Sequence, residues 1–158
     1  MKLTQAKTSD MPQLLSLYRA CARQKSSVWD EEYPSVHTAS ADIAAGRLYL
    51  LRRNNELLAC ASLIAPEEEE RGALYRPCRN PCALARIGVR PEAQGQGYGG
   101  LMLRLCLRIA RAQGHDGMRL LVSPRNRPAV RMYLHAGFRP CGMRCAWGEQ
   151  WICMEREL

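Results

Sequence analysis

A glycine-rich turn in the middle of the chain has the residue types best suited to bind a ligand. From Val89 to Gly100 the sequence reads VRPEAQGQGYGG, so that a predicted strand runs into a loop that opens a predicted helix. The first N–H groups of a helix have no partner within it, and the helix dipole is positive there. Glycines let the backbone approach a ligand closely. The pattern therefore predicts a cradle for a phosphate or pyrophosphate group.

The same glycines invite comparison with nicotinamide dinucleotide sites. Gly95, Gly97 and Gly100 match G-x-G-x-x-G, but in that fold the first glycine follows its strand at once and a carboxylate ends the next strand. Here five residues separate Val89 from Gly95, and the next strand runs into Ser123-Pro124-Arg125. The lysine of a P-loop is also absent. These differences argue against both sites, and a glycine-rich turn without a ligand stays open as the alternative.

Eight cysteines raise the question of a metal site. Cys78-x3-Cys82 and Cys141-x3-Cys145 have a spacing found in zinc proteins. However, the second pair lies in a segment that alternates like a strand, and neither pair sits in a short knuckle. We therefore expect no metal, with Cys60 and Cys106 as small core residues.

The elements that position the turn follow from the hydrophobic pattern. A helix follows the possible cap Thr8-Ser9-Asp10, and the other helices are predicted at 35–45, 97–113 and 126–136. Strands are predicted at 1–7, 47–53, 56–65, 82–89, 118–122, 138–147 and 149–157. The order is β-α-α-β-β-β-α-β-α-β-β, an α/β (α+β) fold with a mixed sheet and helices on its faces. The polar stretch 66–80 is predicted to be a loop that exposes the glutamates 67–70, and we expect one domain over 1–158.

Composition limits the class of protein. The chain has 158 residues, of which 47% are apolar and 24% charged, as in a soluble globular domain. It has neither an apolar run near ~18 residues nor a signal-peptide core, so we expect a cytoplasmic protein with no membrane segment. The net charge of +8 permits phosphorylated ligands. Scattered arginines without interleaved aromatics argue against a nucleic-acid surface, and we expect a monomer or homodimer.

Two motifs resemble those of a known family. Gln94-x-x-Gly97-x-Gly99, preceded by V-x-P at 89–91, resembles the Q/R-x-x-G-x-G/A motif of the GNAT superfamily of N-acetyltransferases. Asn126-x-x-Ala129-x-x-x-Tyr133, followed by Gly137-Phe138, is similar to its second motif. The two motifs in this order are more specific than either alone, and the element order is similar to the family fold, with its mostly antiparallel sheet, over the whole chain. The segments 29–34 and 42–43 are similar to a bacterial subgroup.

The resemblance implies acetyl-CoA as co-substrate. It places the CoA pyrophosphate on the backbone of the loop, with Gln94 shaping that loop. The loop residues are Gly95, Gln96, Gly97, Tyr98, Gly99 and Gly100. Ile87, Gly88 and Val89 would line the pantetheine arm, and the Val89 N–H would polarise the thioester carbonyl. Asn126 would contact the pantetheine or only cap its helix.

Tyr133 falls where the family places a general acid that protonates the leaving CoA thiolate. The alternative is a core tyrosine, since Ala129, Val130 and Leu134 share its helical face. The base is not identified, because the strand before the loop has no glutamate and carries Arg86. The candidates are Glu31, Glu32, His37 and Glu67, beside a water chain or an amine that arrives neutral.

The implied function is transfer of an acetyl group from acetyl-CoA to a primary amine, by direct attack in a ternary complex. Trp29, Glu32 and Tyr33 are predicted to bind this acceptor, a small amine or a peptide amine, although Trp29 and Tyr33 are also typical of residues that cover a core. A protein or aminoacyl-tRNA acetyltransferase and a non-catalytic CoA-binding or sensing module remain as alternatives.

Overall fold

A computed structural model describes residues 1–67 and 75–158. Within them the helices are α1 Met11–Ala22, α2 Val36–Ala44, α3 Tyr98–Ala112 and α4 Arg127–His135. The strands are β1 Lys2–Gln5, β2 Leu48–Arg53, β3 Glu56–Ile64, β4 Pro81–Val89, β5 Gly117–Val122, β6 Arg139–Ala146 and β7 Glu149–Glu157. This confirms the predicted order of elements. Most of the predicted glutamate run, at 68–70, lies outside the described residues.

The strands form one mixed sheet in the order β1-β2-β3-β4-β5-β7-β6. The pairs β1–β2, β2–β3, β5–β7 and β6–β7 are antiparallel. The pair β4–β5 is parallel, with Pro81, Cys82 and Ala83 opposite Gly117, Met118 and Arg119. The mixed, mostly antiparallel sheet is therefore as predicted.

By its internal contacts the chain divides into two compact units, and the expectation of a single domain stays a prediction. Unit 1 comprises 1–62 and 86–102, and unit 2 comprises 63–85 and 103–158. Unit 1 thus holds the first hairpin, the end of β4 and the glycine-rich turn, whereas unit 2 holds α4 and the closing hairpin.

The core of unit 1 forms between α1 and the β2–β3 hairpin. Leu14, Leu17, Tyr18 and Cys21 recur at helical spacing and pack on a sheet surface that includes Leu48, Leu50, Leu57 and Cys60. The hairpin turns at Asn54 and Asn55, whose φ angles of 47° and 68° suit the tight turn that matches strand twist. Asp10, one of the predicted cap residues, is the N-cap residue of α1 but forms no side-chain cap hydrogen bond there. Thr8–Asp10 forms a short 3-10 helix instead, and the Asp10 carboxylate accepts the Lys7 N–H at 2.8 Å.

Unit 2 is built around β5 and β7, with Met118, Leu120, Cys153 and Met154 almost fully buried. Asn126 caps α4 by accepting the Ala129 N–H at 3.2 Å, as its residue type predicts. Gly137, with φ of 82°, follows the end of the helix. The chain then enters the β6–β7 hairpin, so Tyr133 sits on a helix fixed at both ends.

Candidate active site

The glycine-rich turn leaves β4 through a short 3-10 helix, Pro91–Ala93, and enters α3 at Tyr98. Gly95 and Gly97 have φ of 74° and 83°, a left-handed conformation that favours glycine. No atom lies within 4 Å of the position that a Cβ would take at either residue. The backbone beside the first turn of α3 is therefore open to a ligand.

Two glutamine amides hold this loop in shape. Gln94 donates its side-chain N–H to the carbonyl of Val89 at 3.1 Å, and Gln96 donates to the carbonyl of Glu92 at 3.0 Å. The Gln94 bond joins the loop to the end of β4, so the strand and the glycines keep a fixed relation.

Arg53, which the sequence reasoning missed, lies beside the loop. Its guanidinium donates to the Tyr98 hydroxyl at 2.9 Å and lies 5.8 Å from the centre of the Tyr98 ring. An exposed arginine at this position adds positive charge next to the open backbone. Its position at the end of β2 carries no sequence signal, because only the fold brings Arg53 to Tyr98.

The end of β4 is irregular at Arg86, whose φ of 51° lies in the left-handed region and is costly for a residue with a side chain. Two thiols donate to its backbone carbonyls, Cys60 to Arg86 at 3.6 Å and Cys21 to Val89 at 3.3 Å. A side chain at Gly88 would meet the Trp29 indole, 2.9 Å from the Cβ position. The predicted acceptor residue Trp29 therefore lies directly on the predicted cofactor strand.

A buried ionic group, which we call the Asp42 cluster, holds Arg86 in place. It consists of Asp42, Arg47, Ser62 and Arg86. Asp42 is fully buried and accepts from Arg86 through both oxygens, at 2.7 and 2.9 Å. Its other donors are the Arg47 guanidinium at 2.8 Å and the Ser62 hydroxyl at 2.6 Å.

Opposing effects act on the Asp42 carboxyl. Burial alone would raise its pKa, but the hydrogen bonds from Arg86 and Ser62 and the charge of Arg86 lower the pKa below its usual value. Asp42 therefore stays ionised. The cluster combines one carboxylate with two guanidinium groups, which leaves one positive charge.

Tyr18 is a second buried polar group beside this cluster. Its side chain packs edge-to-face on Trp29, with ring centroids 5.4 Å apart. Its hydroxyl oxygen is buried and has no hydrogen-bond partner in the described part of the chain. Burial raises the Tyr18 pKa, so the hydroxyl stays protonated. Trp29, on which Tyr18 packs, also lies against Gly88, two residues after Arg86 on β4.

The predicted acceptor residues separate into two groups. The Tyr33 hydroxyl accepts from Arg86 at 3.2 Å and so contacts the Asp42 cluster, whereas Trp29 is half-buried and packs on Tyr18. Glu32 is exposed, and its backbone N–H donates to Asp30 at 2.8 Å. The other candidate bases, Glu31, His37 and Glu67, are also exposed, and the structure does not single out one of them.

Tyr133 lies in unit 2. Its side chain is 4% exposed and packs against Phe138, with ring centroids 5.7 Å apart. Burial raises its pKa, and the nearby Cys106 thiol adds a smaller effect in the same direction. Within residues 1–67 and 75–158 its hydroxyl forms no hydrogen bond, and the phenol stays protonated near neutral pH.

The cysteines and the helices bear on the questions of a metal site and a membrane segment. All eight cysteines are free. In the described ranges no three His, Cys, Asp or Glu side chains come together as metal ligands. No helix there has the length and apolar character needed to span a bilayer.

Comparison with known proteins places this geometry in a family. Residues 11–138 match the model of the acetyltransferase (GNAT) family. N-acetyltransferase 8F1 of Rattus norvegicus is 28% identical over 138 residues, which cover 83% of this chain and 58% of the rat protein. The chain spans between 21% and 58% of the length of the two curated relatives that it matches.

Solved structures show the same fold. A GNAT-family acetyltransferase from Streptococcus agalactiae superposes with a TM-score of 0.82 at 15% identity, covering 99% of this chain and 95% of the other. A phosphinothricin acetyltransferase from Sinorhizobium meliloti, solved with acetyl-CoA, gives 0.78 at 19% identity, covering 99% and 88%. At these identities the likeness concerns the fold alone.

Proposed function

Because the chain belongs to the acetyltransferase (GNAT) family, we propose that it transfers the acetyl group of acetyl-CoA to a primary amine. The observation that carries this proposal is the open, left-handed backbone of Gly95 and Gly97 at the start of α3. Unpaired N–H groups and the positive end of the helix dipole suit an anionic pyrophosphate there.

The residues present fit this co-substrate. The backbone from Gly95 to Gly100 would hold the pyrophosphate, and the charge of Arg53 would support it. Ile87, Gly88 and Val89 would line the pantetheine arm, and Asn126 would contact it in addition to capping α4. The open space beside the glycines is what such a close approach requires.

The reaction forms one bond and breaks another. The lone pair of the neutral amine attacks the thioester carbonyl carbon, so that a C–N bond forms and the C–S bond breaks. The Val89 N–H would polarise the carbonyl oxygen, and Tyr133 would protonate the departing thiolate. The nitrogen releases its extra proton to water, and proximity of the reactants supplies much of the rate.

Other features favour a small-molecule or peptide acceptor in the cytoplasm. Free thiols at all eight cysteines suit a reducing compartment. The net charge of +8 comes mainly from arginines that are scattered along the sequence without interleaved aromatics, so we favour a small amine or peptide amine over charged tRNA. We propose that the protein is a monomer or homodimer.

Thermal unfolding tests the proposal. Acetyl-CoA and desulfo-CoA should both raise Tm, because a ligand that binds only the folded state stabilises it. Gly97→Val should abolish this shift. Gly114→Val is the matched control, since Gly114 has φ of 82° and equally open surroundings but lies beyond the end of α3.

The outcomes separate ligand binding from protein strain. Each valine should cost about 1–2 kcal/mol through its left-handed backbone, yet Gly114→Val should keep the shift in Tm. A wild-type Tm that does not respond to saturating CoA overturns the proposal. Binding without release of CoA thiol, over a panel of amines, would favour the non-catalytic CoA-binding module.

A further inference from the structure

The Asp42 cluster and Tyr18 together leave polar donors that the described protein does not use. A guanidinium group has five N–H donors. Arg86 uses one on each Asp42 oxygen and one on Tyr33, so two find no acceptor in the described residues. The Tyr18 hydroxyl is a third donor without an acceptor there.

This pattern is unusual for a purely structural ion pair. Buried polar groups are normally satisfied, and leaving one unpaired destabilises the folded protein. Tyr18 is 2% exposed and the Arg86 side chain 6% exposed, so bulk water has little access to either. Unused donors in such a place indicate a ligand acceptor.

Charge identifies the kind of acceptor. Asp42 is opposed by Arg86, whose side chain is 6% exposed, and by Arg47, whose side chain is 37% exposed, so the cluster carries one net positive charge, which lies on its solvent-accessible side. The nearby acidic residues Asp30, Glu31 and Glu32 are exposed, and water and salt screen them. A single carboxylate would neutralise the cluster, and its two oxygens suit guanidinium and hydroxyl donors.

Position connects the cluster to the reaction. Arg86 directly precedes Ile87, Gly88 and Val89, the segment proposed to line the pantetheine arm and, through the Val89 N–H, to contact the thioester carbonyl. Trp29 links Tyr18 to Gly88. A carboxylate held here would lie close to the reacting amine of the same molecule. Resting on the proposed function, we propose that the acceptor is a free amino acid whose carboxylate binds Arg86 and Tyr18.

Matched pairs of acceptors test this directly. The probes are the common L-amino acids, each compared with its own carboxamide, with thiol release as the readout. The carboxamide has the less basic amine, so more of it is neutral at pH 7, and without recognition of the carboxylate it should react faster. We expect the acids instead to be preferred by about 10- to 100-fold in kcat/KM, the range of a hydrogen bond to a charged group.

Tyr18→Phe makes the test specific. It keeps the ring and its packing on Trp29 and removes only the hydroxyl. The KM for the preferred acid should rise about 10- to 100-fold, with the KM for its carboxamide and the Kd for acetyl-CoA unchanged. Because the lost hydroxyl had no described partner, Tm should not fall, whereas a merely structural role would lower Tm and leave the preference intact.

Two further variants complete the design. Arg86→Lys keeps the charge but loses the fork of donors, and should also reduce the preference for acids. Tyr49→Phe is the control. Tyr49 is a buried tyrosine on β2, and its neighbours Leu48 and Leu50 pack in the α1 core. Because side chains alternate along a strand, Tyr49 lies on the opposite face of the sheet from that core. Its preference for acids should equal that of the wild type.

The results distinguish this inference from the proposed function. If the wild-type enzyme has the same kcat/KM for carboxamides as for acids, or acetylates no acid at all, the carboxylate site is overturned, although CoA binding can still stand. Unchanged preference in Tyr18→Phe overturns it as well. Failure of acetyl-CoA to shift Tm overturns the proposed function, and the inference with it.

Discussion

Two buried tyrosines, one in each unit, invite comparison. Tyr18 packs edge-to-face on Trp29 and Tyr133 packs at a similar distance on Phe138. Burial raises the pKa of both phenols, and neither hydroxyl has a hydrogen-bond partner in the described chain. Each phenol also has a cysteine thiol among the groups that affect its pKa, Cys60 for Tyr18 and Cys106 for Tyr133, but only Tyr18 has charged groups among them as well, Arg86 and Asp42.

Because of that difference, Tyr18 and Tyr133 are suited to different chemistry although both are tyrosines. Beside a positively charged cluster, a hydroxyl is suited to hold an anionic group that is present before and after the reaction. In an apolar setting it is suited to give a proton only when a strong base such as a thiolate develops close by. A raised pKa keeps each proton in place at neutral pH, although it makes Tyr133 a weaker acid than an ordinary tyrosine.

The largest expected effect separates the two tyrosines by kinetics. Tyr133→Phe should lower kcat by about 10²–10⁴-fold, the usual contribution of general acid catalysis, for every acceptor and with little change in the Kd for acetyl-CoA. Steady-state kinetics with an acid and its carboxamide would show it. Near-normal turnover, together with altered stability, would mean that Tyr133 is a structural core residue and not the general acid. The contrast with Tyr18 would then be lost.

The next effect concerns the surroundings of Tyr18. Asp42→Asn leaves Arg86 buried without its charge partner and should cost about 3–5 kcal/mol of folding free energy. Glu155→Gln in unit 2 is the comparison, because Glu155 is also buried and paired with an arginine, Arg139. It also accepts the Arg76 backbone N–H at 2.9 Å, a bond that glutamine can keep.

Urea unfolding of both variants would measure this pair. We expect Glu155→Gln to cost less than Asp42→Asn, since Arg139 is 42% exposed and water can solvate it when the carboxylate is gone. Equal losses would mean that the two acidic residues have equivalent surroundings, contrary to the contacts described for unit 1.

Acid should weaken the Asp42 cluster. The folded protein holds the pKa of Asp42 below its usual value, so the carboxylate contributes stability that is fully present above about pH 4 and is lost as pH falls through the folded pKa. The stability difference between wild type and Asp42→Asn should therefore narrow below about pH 4. A difference that stays constant between pH 7 and pH 3 would contradict the assigned ion pair.

The smallest effect compares the caps of two helices. Ser35 caps α2, which carries Asp42, by accepting the Thr38 N–H at 3.1 Å, and Asn126 caps α4, which carries Tyr133. Replacing either by alanine should cost about 1 kcal/mol in thermal unfolding. Only Asn126→Ala should also weaken the binding of acetyl-CoA. Unchanged affinity would mean that Asn126 serves only as a helix cap.

The sequence was informative where function depends on local backbone. The glycine-rich turn was predictable because Gln94, Gly97 and Gly99 act within one loop and one helix start. The hairpin at Asn54-Asn55 and the cap at Asn126 were predictable for the same reason, since each depends on residues close in the chain.

The Asp42 cluster was not predictable in this way. Asp42, Ser62 and Arg86 lie on α2, β3 and β4, and only the folded sheet brings them together. In the sequence, Arg86 stands on a strand that has no glutamate to act as a base, and Tyr18 has the same helical spacing as Leu14, Leu17 and Cys21. Whether a buried hydroxyl has a hydrogen-bond partner depends on its three-dimensional surroundings. Sequence periodicity cannot show this, and it therefore predicts such a tyrosine to be an ordinary core residue.

The contact between Trp29 and Gly88 has a consequence for how this protein can evolve. Even one methyl group at position 88 would lie 2.9 Å from the indole, so the two positions cannot drift independently. Among descendants of this sequence, a larger residue at 88 should appear only after a smaller one at 29. A library that varies the two codons together should therefore recover folded variants with a side chain at position 88 that are missing from single-site libraries.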